Sequence, residues 1–236
     1  AVQLKACGLR PLTFSTDDYF VDRDKTPLLP DGSPDFDNFD TVDHKALEAD
    51  LLKILNGEEV EVPEFNFVTG KREYNGRKYK LEQGNVVVIE GIHALNPKLT
   101  SRISDKKKFR IFISTLTGIP LDNHNCIPTS DNRLVRRIVR DYQFRGKGAA
   151  GTIAMWPSVR RGEELYIFPF QNNADAILNT ALDYELSVLK VYAEPLLRCV
   201  KPSETEYAEA CSLLRFLDQF ASIAPTAVPP RSIIRE

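Results

Sequence analysis

A chain of 236 residues, 42% hydrophobic and 27% charged, can hold one sizeable α/β domain with a small appended subdomain, and it has the make-up of a soluble globule. No window is apolar for long enough to span a bilayer, no signal peptide with a cleavage site opens it, and a net charge of −2 argues against nucleic acid as a partner. Cys7, Cys126, Cys199 and Cys211 form no CxxC pair, and His44, His93 and His124 are isolated. The reading is free thiols in a reducing cytoplasm, with no disulfide framework or zinc site.

The opening "AVQLKACGLRP" reads as the last turns of a helix closed by Gly8. An apolar strand, "LTFS" (12–15), follows. It runs into "FSTDDYFVDRDKTPLLPDGSPDFDNFD" (14–40), where aspartates crowd among aromatics and prolines. Such a run is either a solvated loop or a site for a metal ion and a polyhydroxylated substrate. "TVDHKALEADLLKILNG" predicts a helix, with Leu47, Leu51, Ile54 and Leu55 on one stripe and a stop at Gly57. Residues 60–83 alternate and carry turn signals at Thr69-Gly70 and Asn75-Gly76, which predicts an antiparallel hairpin able to wall a substrate pocket.

A second apolar strand, "VVVIE" (86–90), delivers Glu90 to its carboxyl end before Gly91; this is either the acid with which strands often end or the carboxylate that nucleotide-binding α/β folds place near magnesium. "FRIFIS" (109–114) and "DAILN" (175–179) are further strands. Between them "SDNRLVRRIVRDYQFRG" predicts a helix with Leu134, Ile138 and Tyr142 inward and arginines on its other faces. Arg136, Arg137, Arg140, Arg145 and Lys147 form either a solvated arginine face or a lid over a transferred phosphate. Trp156, after the glycine-rich "GKGAAG", is a core aromatic or a stacking partner for substrate or adenine. A last helix is expected over 203–221, with Tyr207, Cys211, Leu214 and Leu217 at helical spacing, before a proline-containing tail. Strands alternating with helices predict a parallel sheet flanked by helices.

The modest net charge hides an asymmetry. From Asp17 to Asp50 eleven acids meet three bases, whereas from Arg133 to Arg161 eight bases meet Asp141 alone. That suits a protein handling a metal ion with one region and phosphates with the other.

The order of these features (strand and Asp-x-aromatic-aromatic, an "FD…D" loop, a hairpin with "VPEFNF", strand-Glu-Gly, then an Arg-rich helix and "RGK") resembles the uridine kinase and phosphoribulokinase family of P-loop kinases. The match runs from about Leu9 to Asn179. The resemblance implies an α/β P-loop kinase-type parallel sheet with a β-hairpin substrate wall and an Arg-rich helical lid. Residues 1–200 would be the kinase domain, with the hairpin at 60–83 and the lid at 133–165, and 201–236 a C-terminal helix and tail. Asp17 looks like the base that takes the acceptor hydroxyl proton, and with Glu90 it would hold Mg2+. Arg140 and Arg145 look like the lid arginines on the transferring phosphoryl group and on ATP. Asp37, assisted by Arg137, looks like the carboxylate that binds vicinal ribose hydroxyls. Asp22, Asp24, Asp31 and Asp35 are then read as loop charge.

The family's pyrimidine kinases read their base with a tyrosine, a histidine, an arginine and a glutamine. Phe65, Gly70, Lys147 and Met155 stand at those positions, with Phe36 and Phe67 left for apolar or stacking contact. The implied function is therefore ATP-dependent phosphorylation of a nucleoside or related ribosyl compound whose base is read differently. A phosphoribulokinase-like sugar-phosphate kinase using Lys71, Arg72, Arg160 or Arg161, and a catalytically silent binding module, are the alternatives. No G-x-x-x-x-G-K-S/T loop occurs in these residues, so the chain is expected to begin downstream of one and to be inactive by itself. The resemblance also implies small-molecule partners, no membrane, cytoplasmic location and possible homo-oligomers.

Overall fold

A computed structural model describes residues 1–30, 32–118, 123, 126–230 and 232–235. Asp31, read above as loop charge, and His124 lie outside the described residues. The chain divides into two compact units: Ala1–Phe112 with Arg161–Ala176, and Ile113–Arg160 with Ile177–Glu236.

The first unit is built on a parallel strand pair. After a short helix α1 (Val2–Ala6), β1 (Arg10–Ser15) pairs with β6 (Asn85–Glu90) from Arg10↔Asn85 to Ser15↔Glu90. The crossover between them contains α2 (His44–Leu55), whose N-cap Asp43 accepts the Ala46 N–H at 3.0 Å. Leu47, Leu51 and Ile54 of α2 pack with Phe14, Tyr19, Val60 and Leu99 in the core of this unit. Each such buried aliphatic side chain contributes about 1.5–3 kcal/mol. Only one face of the strand pair is closed in this way, by Leu12, Phe14, Val87 and Ile89. Val86 and Val88 stay half-buried, because a parallel pair hides both faces only where elements cover both.

The hairpin forms as two antiparallel ladders. β2 (Val60–Glu61) pairs with β5 (Lys78–Tyr79), and β3 (Glu64–Asn66) with β4 (Lys71–Glu73). Pro63, which has no N–H to donate, interrupts the outgoing strand. The tip is at Thr69-Gly70, where Asn66 Oδ1 accepts the Val68 and Thr69 N–H groups. Asn75-Gly76 is not a second tip. It forms a bend between β4 and β5 on the returning arm, with Gly76 at φ 75° donating its N–H to the Glu61 carboxylate.

The second unit is mainly helical. β7 (Ile111–Ser114) and β8 (Ala176–Asn179) lead into it as a strand pair. α3 (Thr129–Arg145) ends at Gly146, whose φ of 62° is the left-handed cap expected of glycine. α4 (Ala149–Tyr166) begins in this unit and carries Pro157, and α5 (Glu185–Arg198) and α6 (Tyr207–Leu217) complete it. Leu134, Val135, Ile138, Leu186, Leu189 and Leu213 belong to its core. Two expectations are corrected. Tyr142 is exposed, since α3 turns Leu134, Val135, Ile138 and Val139 inward. The buried stripe of α6 is Ala210, Leu213, Phe216 and Leu217, not one running from Tyr207 through Cys211, because the first turn of α6 lies at the surface.

Candidate active site

Parallel pairing decides where the first two acids go. Ser15 lies opposite Glu90, so Glu90 and the turn that follows β1 leave the same edge of the pair. Asp17 sits in that 3₁₀ turn, Thr16–Tyr19, and both Asp17 and Glu90 are exposed. Gly91, at φ 144°, passes so close to Thr16 that a Cβ would overlap the threonine side chain. Tyr19 anchors the turn from below: it is buried, donates to Asp50 at 3.1 Å, and has its pKa raised by burial and then by the Asp50 charge. Two carboxylates at one open edge are the donor set that suits Mg2+, which takes one or two carboxylates and completes its shell with water and phosphate oxygens. Among the described residues no group of three or more His, Cys, Asp or Glu side chains converges as a closed metal cage.

Three other aspartates of the acidic run, Asp18, Asp22 and Asp43, are tied to the hairpin. Asp18 pairs with Arg77 at 2.7 Å, and Asp43 takes both terminal nitrogens of Arg72 at 3.1 Å. Asp22 accepts the Arg72 N–H at 3.3 Å and Lys25 at 3.1 Å; the Lys25 hydrogen bond leads in holding its pKa below the usual carboxylate range. In return Arg23 donates to the Phe67 carbonyl at 2.7 Å and packs on Gly70. The hairpin tip therefore stands against the Asp17 turn. There Phe20, Phe65 and Phe67 form an edge-to-face trio with centroids 5.2–6.3 Å apart. Phe65 is buried in the trio, whereas Phe67 (61%) and Phe36 (55%) keep more than half their surface exposed.

Asp37 lies on a loop gripped from several sides. Asp35 is only 5% exposed and ion-paired with Arg161 at 3.5 Å, so it is not solvated loop charge. Asn38 donates to the Tyr166 hydroxyl at 2.9 Å and to Asp35 at 3.3 Å, and its own Oδ1 accepts the Asp40 N–H. At Gly162 a Cβ would overlap that of Asp37. Beneath the loop His93 is 1% exposed, edge-on to Phe39 and Tyr166. Neither ring nitrogen of His93 makes a well-formed hydrogen bond. Burial lowers its pKa to about 4, an effect that the nearby backbone of Asn38 and Asp37 only lessens.

In the second unit the arginines converge on the one acid among them. Asp141 is 2% exposed and contacts Arg140 at 3.0 Å, Arg137 at 3.4 Å and Arg145 at 3.6 Å, with Thr152 Oγ1 at 3.5 Å. Arg136 has a different task. It donates to the buried Glu185 and to the Thr180 carbonyl, fixing the β8–α5 connection to α3. Lys147 and Met155, two of the replaced base-reading positions, touch each other. Trp156 packs on the core of this unit beneath Arg133, whose guanidinium lies 5.9 Å from the ring centre. A cavity of about 270 Å³ is lined by Leu116, Thr117, Asn132, Asn179 and Glu185 among others, and the buried Asn132 Oδ1 there has no hydrogen-bond partner.

Residues 30–187 match the model of the phosphoribulokinase / uridine kinase family. The chain is 30% identical over 197 residues to a uridine kinase of Mycoplasma genitalium, covering 82% of this chain and 84% of that one. The chain belongs to this kinase family. It is also 29% identical over 201 residues to a uridine kinase of Mycoplasma pneumoniae, covering 83% and 84% of the two chains. A solved structure assigned as a fructose transport system kinase, from Silicibacter sp., shares the fold with a TM-score of 0.52 at 18% identity, over 75% of this chain and 79% of that one. The α/β architecture is thus that of the P-loop kinases.

Within this family fold, the sequence reading missed Asp35, His93, Asp141, Gly162 and Glu185. For Asp141 a signal existed. It stands four residues after Arg137 and four before Arg145, the spacing at which helical side chains meet. Asp35 and Arg161 are far apart along the chain, and no local pattern joins them.

Proposed function

We propose that this kinase transfers the γ-phosphoryl group of ATP to a hydroxyl of a nucleoside or related ribosyl compound. The observation that carries the reading is the emergence of Asp17 and Glu90 from one edge of a parallel strand pair. Asp17 orients the acceptor hydroxyl and takes its proton as that oxygen bonds to the γ-phosphorus. The bond from the γ-phosphorus to the β–γ bridging oxygen breaks, and ADP leaves with its electron pair. Glu90 and Asp17 are the residues that would hold Mg2+, which when bound neutralises charge on the phosphate oxygens. Arg140 and Arg145 stabilise charge on the phosphoryl group, and Asp37 takes two neighbouring sugar hydroxyls in charge-assisted hydrogen bonds.

With Phe65 shut inside the aromatic trio, Phe67 and Phe36 offer the acceptor apolar surface and no side-chain hydrogen bond. A base held this way is discriminated weakly, because large selectivity comes from polar groups left unpaired by the wrong ligand. Arg72 and Arg161 each already serve an aspartate, which leaves the sugar-phosphate alternative fewer cations for a second phosphate.

The test is ADP release by the full-length natural protein with magnesium–ATP and a panel of nucleosides, ribosyl compounds and sugar phosphates. Turnover with ribosyl acceptors that is insensitive to the base supports the reading. A wide preference for uridine and cytidine refutes the claim about the base, and no turnover with any acceptor refutes the kinase reading. Lacking a G-x-x-x-x-G-K-S/T loop, the 236-residue chain alone is expected to bind magnesium–ATP poorly; tight binding by calorimetry refutes that expectation.

A further inference from the structure

The last turn of α4, Arg161 to Tyr166, makes contacts that the proposed chemistry does not itself require. Arg161 pairs with the buried Asp35, two residues before Asp37. Tyr166 takes a hydrogen bond from Asn38, the residue after Asp37. Between them Gly162 faces Asp37 itself, so closely that any Cβ would collide with the aspartate's own. A glycine inside a helix costs about 1 kcal/mol relative to alanine, so its presence asks for a packing reason, and Asp37 supplies one.

From these contacts we propose that this turn positions the acceptor-binding carboxylate, and that Gly162 sets how deeply Asp37 sits and hence which hydroxylated acceptor it can reach. The inference rests on the reading of Asp37 as the ligand for acceptor hydroxyls. Asp35 and Asn38 fix the backbone on either side of Asp37, and His93 closes the floor beneath it. The helix surface at Gly162 bounds the Asp37 side chain on that side. A methyl group at 162 must displace Asp37, because it would overlap the aspartate's own Cβ while the next residue, Asn38, is held to Tyr166 of the same helix. Arg161, Gly162 and Tyr166 are positioning residues, acting through Asp37 on a substrate they need not touch.

The experiment measures KM for the acceptor and for ATP in the full-length protein, with uridine as the first probe and other ribosyl compounds beside it. Gly162→Ala is expected to raise the acceptor KM about tenfold while the KM for ATP stays within about twofold, the pattern of lost acceptor binding rather than lost chemistry. Tyr166→Phe, which removes one hydroxyl and nothing else, should raise the acceptor KM about threefold and guards against a Gly162→Ala protein that fails to fold. Asp37→Asn is the reference and should exceed both. An acceptor KM unmoved by Gly162→Ala and by Tyr166→Phe, while Asp37→Asn raises it, overturns this inference and leaves the function standing. An acceptor KM unmoved by Asp37→Asn, or no turnover at all, overturns the reading of the site and this inference with it.

Discussion

The two units hold their charge by opposite devices. In the first, aspartates of the acidic run are neutralised singly: Asp18 by Arg77, Asp43 by Arg72, Asp35 by Arg161. In the second, bases are in excess and share, with Arg137, Arg140 and Arg145 all drawing on Asp141. Single pairing turns a dense acidic run into a scaffold, fastening a hairpin and a loop around the two carboxylates at the strand edge. Sharing fixes three guanidiniums in place while leaving their cluster net positive, which is what an anion requires. A run of like charge is therefore not one kind of feature, and the number of opposing partners decides which kind it becomes.

The contrast breaks most readily at Asp141. Asp141→Ala should cost the second unit about 3–5 kcal/mol in urea denaturation, because three cations, one of them largely buried, lose their common partner. A loss below about 1 kcal/mol would mean that the arginines are held by other contacts. Next comes pH. His93 is buried neutral with a pKa near 4, against about 6.5 in an unfolded chain. The unfolded state then binds the extra proton between those values, so stability falls as pH drops through that window, by about 3 kcal/mol in all. His93→Gln should remove this component of the acid limb, and an unchanged slope would contradict it. In the acidic unit each pair should matter less. Arg77→Ala should cost about 1 kcal/mol, since the Arg77 side chain is itself 37% exposed, and the loss should shrink in salt. Smallest of all is Arg10–Glu82, 3.6 Å apart and largely exposed on both sides. Removing it should leave the denaturation midpoint unchanged, and a clear shift would show that surface pairs also carry the scaffold.

Much of this was legible in the sequence. The strands at 12–15, 86–90, 109–114 and 175–179 appear as apolar runs, and the glycines at 70 and 146 mark the hairpin tip and the end of α3. These are local signals. The roles of Asp35, Gly162 and His93 are set by residues distant in the chain, and nothing nearby distinguishes Asp35 from Asp24. Asn75-Gly76 shows the same limit: a turn dipeptide suits a hairpin tip and a strand interruption alike, and only the partner strand, with Pro63 in it, decides. Asp141 was counted as the lone acid among eight bases, a clue to its place that only the helical spacing of its neighbours completes.

The most direct test of the account is turnover by the full-length protein with magnesium–ATP and a ribosyl acceptor, wild type against Asp17→Asn. A positioned general base contributes about 10²–10⁴-fold, so kcat should fall by at least that order. The KM for magnesium–ATP should rise as well, because Asp17 also stands with Glu90 where Mg2+ would be held. A variant that turns over at the wild-type rate would contradict the assignment of Asp17 as the base, and with it the reading of the strand edge as the catalytic centre.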